Sequence, residues 1–188
     1  MQQLTGMDAA FLDIETAEMP MHVLGVVVLS PEDDSVWSFR RLREVLLERI
    51  HLMPPFRRRL VDVPLGLDLP YWVDDGEFDV DRHLSRVTAS EGSDDKSLAE
   101  IAASLAAERL DRSRPLWEMA VVEGLSGGRV ALIARIHHCA VYGAAGADLI
   151  AHLFDFDPLG RSVDPPAEEF VGEPAPSAVT LAAKGALK

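Results

Sequence analysis

The sequence predicts an α/β domain, a mixed sheet with helices packed on it. Short runs rich in Val, Leu and Ile alternate with segments whose apolar residues recur every three or four positions. Of the 188 residues, 48% are hydrophobic and 26% charged, a balance and length that support one domain with a core of its own. The longest apolar runs, Val23–Leu29 and Val130–Ile136, have the length of strands and fall well short of the roughly 20 residues that a membrane-spanning helix needs.

Taken in order, Met21–Ser30 lies between Pro20 and Pro31 and reads as a buried strand. Val36–Leu52 reads as a helix, with Phe39, Leu42, Val45, Leu46 and Ile50 on one stripe and charged residues between them; Pro54 and Pro55 stop it. Phe56–Val63 and Tyr71–Val73 read as short strands around the turn-rich Pro64–Pro70, and Glu91–Asp95 as a polar loop. Ser97 and Glu100 have capping-box spacing for a second helix whose stripe is Leu98, Ile101, Ala102, Leu105 and Ala106. Leu116–Glu123 and Arg129–His137 read as strands joined through Gly124–Gly128. Gly143–Gly146 opens a third helix with Leu149, Ile150, Leu153 and Phe154 facing inward. The composition then turns to Pro, Ala, Glu and Val, so residues 1–158 form the domain and 159–188 a linker, weakly helical from Ser177, toward a further domain.

The net charge of −13, with 31 acidic against 18 basic residues, argues against a nucleic-acid partner, which would require a basic face. Arg57-Arg58-Arg59 is the one dense basic run and reads equally as an anion patch or a solvated strand edge. A single cysteine, Cys139, rules out an internal disulfide framework and fits a reducing cytoplasm; no secretory leader pattern is seen. With no apolar run long enough to span a bilayer, any contact with lipid would be peripheral.

The chemistry concentrates in Ile136-His137-His138-Cys139-Ala140-Val141-Tyr142-Gly143. Along the preceding strand Val130, Leu132, Ala134 and Ile136 alternate with Ala131, Ile133, Arg135 and His137, so two adjacent histidines point to opposite sides and only one can enter a given cavity. A neutral imidazole at a strand end, before a turn of small residues, suits proton abstraction from an alcohol near pH 7. From spacing alone, a histidine pair that merely hydrogen-bonds a loop is an equal reading.

His137-His138-x-x-x-Tyr142-Gly143 is similar to the HHxxxDG motif of coenzyme A-dependent acyltransferases and peptide-synthetase condensation domains. Leu110-Asp111-Arg112-Ser113-Arg114-Pro115-Leu116-Trp117-Glu118 with Val122-Glu123-Gly124-Leu125, the opening Leu4-Thr5-Gly6-Met7-Asp8-Ala9-Ala10-Phe11-Leu12, Pro20-Met21-His22-Val23, Phe56-Arg57-Arg58-Arg59-Leu60 and Phe78-Asp79-Val80 together resemble the wax ester synthase/diacylglycerol acyltransferase family, in its mycobacteria-like form, from Leu4 to Pro158. The resemblance implies half of a two-domain fold like that of chloramphenicol acetyltransferase. It also implies transfer of a long fatty acyl group from acyl-CoA, as substrate rather than cofactor, to diacylglycerol or a long-chain alcohol. By the same resemblance His138 is the general base, His137 a supporting residue and Gly143 the motif glycine, and the site is shared with a C-terminal half in the same chain or a second one.

Tyr142 stands where the family motif has Asp, whose implied role is to fix the loop through an arginine; a neutral phenol cannot do that. Two further readings follow: a weakened or inactive lipid-binding relative, and a condensation-type acyltransferase using carrier-protein thioesters, which shares the motif but not the Pro115-Leu116-Trp117 context. His22 reads as a core or channel-lining residue, Trp72 and Trp117 as core or channel wall, and Cys139 as a small buried residue rather than a nucleophile. His51, His83 and His152 lack partners at metal spacing, so no metal is expected.

Overall fold

The structure is a computed structural model that describes residues 1–30, 38–141, 152–155 and 161–186. Its main sheet has the order β2-β7-β6-β5, with β2 spanning His22–Leu29, β5 Leu84–Ser93, β6 Trp117–Leu125 and β7 Val130–His137. β2 and β6 run antiparallel to β7, while β5 is parallel to β6, which makes the sheet mixed, as the sequence predicts. A smaller antiparallel sheet, β1 (Gln2–Gln3), β4 (Tyr71–Asp74) and β3 (Arg58–Val61), packs beside it.

Among the described residues, α2 (Phe39–Arg49) packs on one face of the main sheet and α3 (Asp95–Ala106) on the other. Leu42 and Leu46 of α2 pack on Trp117, Met119 and Val121 of β6 and Leu132 of β7. On the reverse face Leu98 and Ala102 of α3 pack on Ala120, Val122, Ala131 and Ile133. The alternation along β7 thus divides between two cores, the consequence of a strand buried on both faces. Leu153 belongs to the α2 core and Phe154 packs against it, whereas Leu149, Ile150 and the Gly143–Gly146 turn lie outside the described residues. A last helix, α4 (Ala178–Ala186), sets Leu181 against Val63, Tyr71 and Val73 of the small sheet.

Two local expectations are corrected, and two elements escape the sequence reading. β2 is an edge strand among the described residues rather than a buried one: β7 is its one neighbour there, and Val23 is 46% exposed and Val28 43%. β5 escapes a hydrophobic reading because it is the opposite edge, where polar Ser, Arg and Glu side chains meet solvent. The cap of α3 is Asp94, whose Oδ1 accepts from the Ser97 amide at 2.9 Å, one turn earlier than the Ser97/Glu100 box. Finally, Gly6–Ile14 forms a helix, α1, started by Thr5, whose hydroxyl oxygen accepts from the Asp8 amide at 3.2 Å.

Trp117 is the centre of the α2-side core. Its indole lies between Phe56 and His83, each ring centroid 4.5 Å away, and its Nε1–H donates to the Phe56 carbonyl at 2.9 Å. The Trp117→Ala variant is expected to lose about 3–5 kcal/mol of stability, read as a lower urea midpoint, because it opens a cavity and leaves that carbonyl without its donor.

Candidate active site

The site grows from the end of β7. The strand stops at His137, and His138–Ala140 form a single tight helical turn. The His137 side chain caps that turn, its Nδ1 accepting from the Cys139 amide at 3.1 Å. His137 is fully buried, whereas His138 is partly exposed. The pair therefore divides into one inward and one outward ring, as strand alternation requires, although His138 already belongs to the turn.

His138 is held at both its backbone and its ring. Its amide donates to the Met21 carbonyl at 2.9 Å, and its imidazole stacks on Phe11 of α1 at 4.8 Å between centroids and 15° between planes. An offset aromatic stack fixes the plane of the ring while leaving its edge nitrogens available. Cys139 and Ala140 turn toward a 220 Å³ pocket also lined by Gln2, Asp8, Arg58 and Trp72. Trp72 is partly buried against a core cluster that includes Cys139. Burial pushes the Cys139 thiol up to about 12, so near neutral pH it is a protonated, non-nucleophilic group.

Behind His137 lies a carboxylate that no local sequence signal announces. Glu15 follows α1, and its side chain is 1% exposed, with Oε1 at 3.5 Å from His137 Nε2. Oε1 also accepts from the Met21 amide at 3.1 Å, and Oε2 accepts from Arg112 Nε at 3.1 Å and Nη2 at 2.8 Å, with Arg109 Nε at 3.4 Å. Burial would raise the Glu15 pKa, but the Met21 amide, the Arg112 guanidinium and His137 together hold it below the usual value. Burial moves His137 the other way, down to about 4, with Glu15 only partly opposing it. His22, paired with His137 across β2 and β7, is also lowered, by burial and then by Arg135.

Tyr142 and Gly143 lie outside the described residues. Two buried arginines among the described residues each hold a carboxylate: Arg49 pairs with Asp155 at 2.6 Å, and Arg135 pairs with Glu118 while donating to the Leu105 and Glu108 carbonyls. The Arg57–Arg59 run is largely compensated, with Arg58 on Asp74 at 3.1 Å, Arg59 on Asp75 at 3.5 Å and Arg57 over the Phe170 ring at 4.1 Å. His83 donates from Nδ1 to the Trp117 carbonyl at 2.8 Å. No cluster of three or more His, Cys, Asp or Glu able to hold a metal occurs among the described residues. No helix among them is long and apolar enough to cross a membrane.

Sequence reasoning missed Phe11, Glu15, Arg109 and Arg112 as parts of this site. Arg112 lies inside a segment already singled out, but its partner Glu15 is 97 positions away, a separation no periodicity reveals.

Comparison with known proteins supplies the context. Residues 4–188 match the family model described as the wax ester synthase/diacylglycerol acyltransferase catalytic domain. A Mycobacterium tuberculosis protein whose name assigns it as a diacylglycerol O-acyltransferase is 40% identical over 159 residues, covering 84% of this chain and 34% of its own length. A second from the same organism, named in the same way, is 36% identical over 165 residues, covering 88% of this chain and 59% of that protein. The chain thus spans about a third of the first of these relatives and about three-fifths of the second. The wax ester synthase/diacylglycerol acyltransferase structure from Marinobacter aquaeolei superposes with a TM-score of 0.71 at 26% identity, covering 88% of this chain and 41% of that one. A starter condensation domain of rhizomide synthetase, at 13% identity and TM-score 0.62, covers 81% of this chain and 34% of its own and shares the fold. With its motif histidines at the end of β7 and the family model matched along nearly its whole length, this chain belongs to the wax ester synthase/diacylglycerol acyltransferase family.

Proposed function

We propose that the chain is the N-terminal part of an O-acyltransferase that moves a long-chain fatty acyl group from acyl-CoA to the hydroxyl of diacylglycerol or a long-chain alcohol. The products are a triacylglycerol or wax ester and free coenzyme A. The observation that carries this reading is the contrast within the motif: His138 is partly exposed and braced by Phe11, while His137 is locked inside. Membership of the family supports the reaction class.

In this proposal a neutral His138 nitrogen accepts the alcohol proton as the oxygen attacks the thioester carbonyl. The tetrahedral intermediate collapses by breaking the C–S bond, and the imidazolium returns its proton to the departing thiolate. No covalent enzyme intermediate is needed, consistent with Cys139 being buried and protonated. A second domain, in the same chain or supplied separately, completes the cavity, and the lipid partners reach it from a membrane or lipid-droplet surface.

The test supplies the chain with the C-terminal portion carried by its longer relatives and measures ester formation from acyl-CoA with diacylglycerol and with a long-chain alcohol. Carrier-protein thioesters are run in parallel. Ester from acyl-CoA supports the proposal; ester from the carrier thioester alone identifies a condensation-type enzyme, and lipid binding without transfer identifies a binding protein. The sequence observation behind that last outcome is Tyr142. The Tyr142→Asp variant is expected to raise turnover about tenfold, by supplying the carboxylate that the family motif carries at this position. Equal turnover in both forms would remove the cost assigned to tyrosine.

A further inference from the structure

We infer that Glu15 is a positioning residue for His138, acting through the ring of His137 and through Met21. The inference rests on the proposed role of His138. It starts from a constraint on one buried ring. A neutral imidazole carries a single N–H, so one nitrogen donates and the other accepts. Because His137 Nδ1 accepts from the Cys139 amide at 3.1 Å, the hydrogen belongs on Nε2. The opposite tautomer would turn two N–H groups toward each other and unmake the cap of the turn that carries His138.

Glu15 selects between these tautomers. Its Oε1 lies 3.5 Å from Nε2, longer than a good hydrogen bond but close enough for strong electrostatic preference. A bare Nε2 lone pair facing a carboxylate is repelled; an Nε2–H is attracted. Other polar groups around the carboxylate are donors: the Met21 amide, Arg112 and Arg109. They keep it ionised and fixed, with its side chain 1% exposed. Arg112 Nη2 also donates to the Leu12 carbonyl at 2.7 Å, tying the carboxylate to the end of α1, the helix that carries Phe11.

A second route runs through Met21. Glu15 accepts from the Met21 amide, and the Met21 carbonyl accepts from the His138 amide at 2.9 Å. Glu15 therefore braces His138 from both sides, once through the cap at Cys139 and once through the end of β2. A residue that only anchored the fold would leave the His137 tautomer unaffected when replaced by an isostere. Orientation of a catalytic imidazole by a buried carboxylate behind it is a recurring use of such pairs, though here the carboxylate meets the neighbouring ring rather than the reacting one.

The experiment is side-chain ¹⁵N NMR of the histidine-labelled chain, wild type and Glu15→Gln, joined to steady-state acyl transfer with the completing C-terminal portion present. In the wild type, His137 is expected to show a protonated Nε2 and a bare Nδ1. In Glu15→Gln the amide can present either its oxygen or its NH2 group, so the tautomers are expected to mix. The kcat for acyl transfer should fall about 10–100-fold, with the KM for acyl-CoA unchanged. A protonated Nδ1 in the wild type overturns the inference without needing any variant to fold. An unchanged tautomer in a folded Glu15→Gln, or a mixed tautomer with full kcat, also overturns it. If the wild type transfers no acyl group, the proposed function falls, while the tautomer spectra still decide whether Glu15 sets the ring.

Discussion

Replacing His138 by alanine is expected to lower the kcat for acyl transfer by about a hundred- to ten-thousand-fold, the usual contribution of a positioned general base. The loss should fall on kcat, with the KM for acyl-CoA little changed, since in the proposed reaction the imidazole takes the alcohol proton and does not hold the bound thioester. Stability should change little. The ring is partly exposed, and its packing is the stack on Phe11, worth about 0.5–1.5 kcal/mol beyond area burial. His137→Ala is expected to behave differently, lowering both activity and the urea midpoint, because it empties a fully buried site and removes the cap on the Cys139 amide. Free coenzyme A release and urea denaturation separate the two variants. A His138→Ala protein with full turnover would end the proposed role.

Acidification from about pH 7 to pH 5 is expected to cost about 2 kcal/mol of stability through His137 alone, taking an ordinary histidine value of about 6.5 for the unfolded chain. The folded ring is held down to about 4 by burial, so between these values the unfolded chain binds a proton that the folded one does not. The contribution is fully present above the unfolded value and is lost progressively as pH falls through 6.5 toward 4. His22 and His83, both lowered chiefly by burial, add in the same direction. Glu15, held below its ordinary value, also loses its contribution on acidification, in a lower pH window. Urea midpoints at the two pH values measure the effect, and a midpoint independent of pH would mean that His137 reaches solvent in the folded protein.

Much of the fold was legible because its central strands are simple. β6 and β7 carry dense apolar runs, and the stripes of α2 and α3 have clear helical periodicity. The edges were not. A run of valines in β2 reads as buried, yet among the described residues the strand has a neighbour on one side only, and β5 hides its register behind polar side chains. The outward and inward placement of the two motif histidines followed from strand alternation, and the roles proposed for them rest on family likeness. What no sequence pattern could show is the floor of the site. Phe11, Glu15 and Arg112 reach the motif only through contacts distant in sequence, made when β2 and β6 pair with β7 in the folded chain.

That pairing also orders events during synthesis. β2 meets β7, its partner among the described strands, only after roughly a hundred further residues have emerged, the kind of distant pairing that slows folding. Until then its valines and its main chain are unpaired, and such unpaired strands favour aggregation. The end of the sheet where His22 meets His137 therefore forms only once β7 has been made.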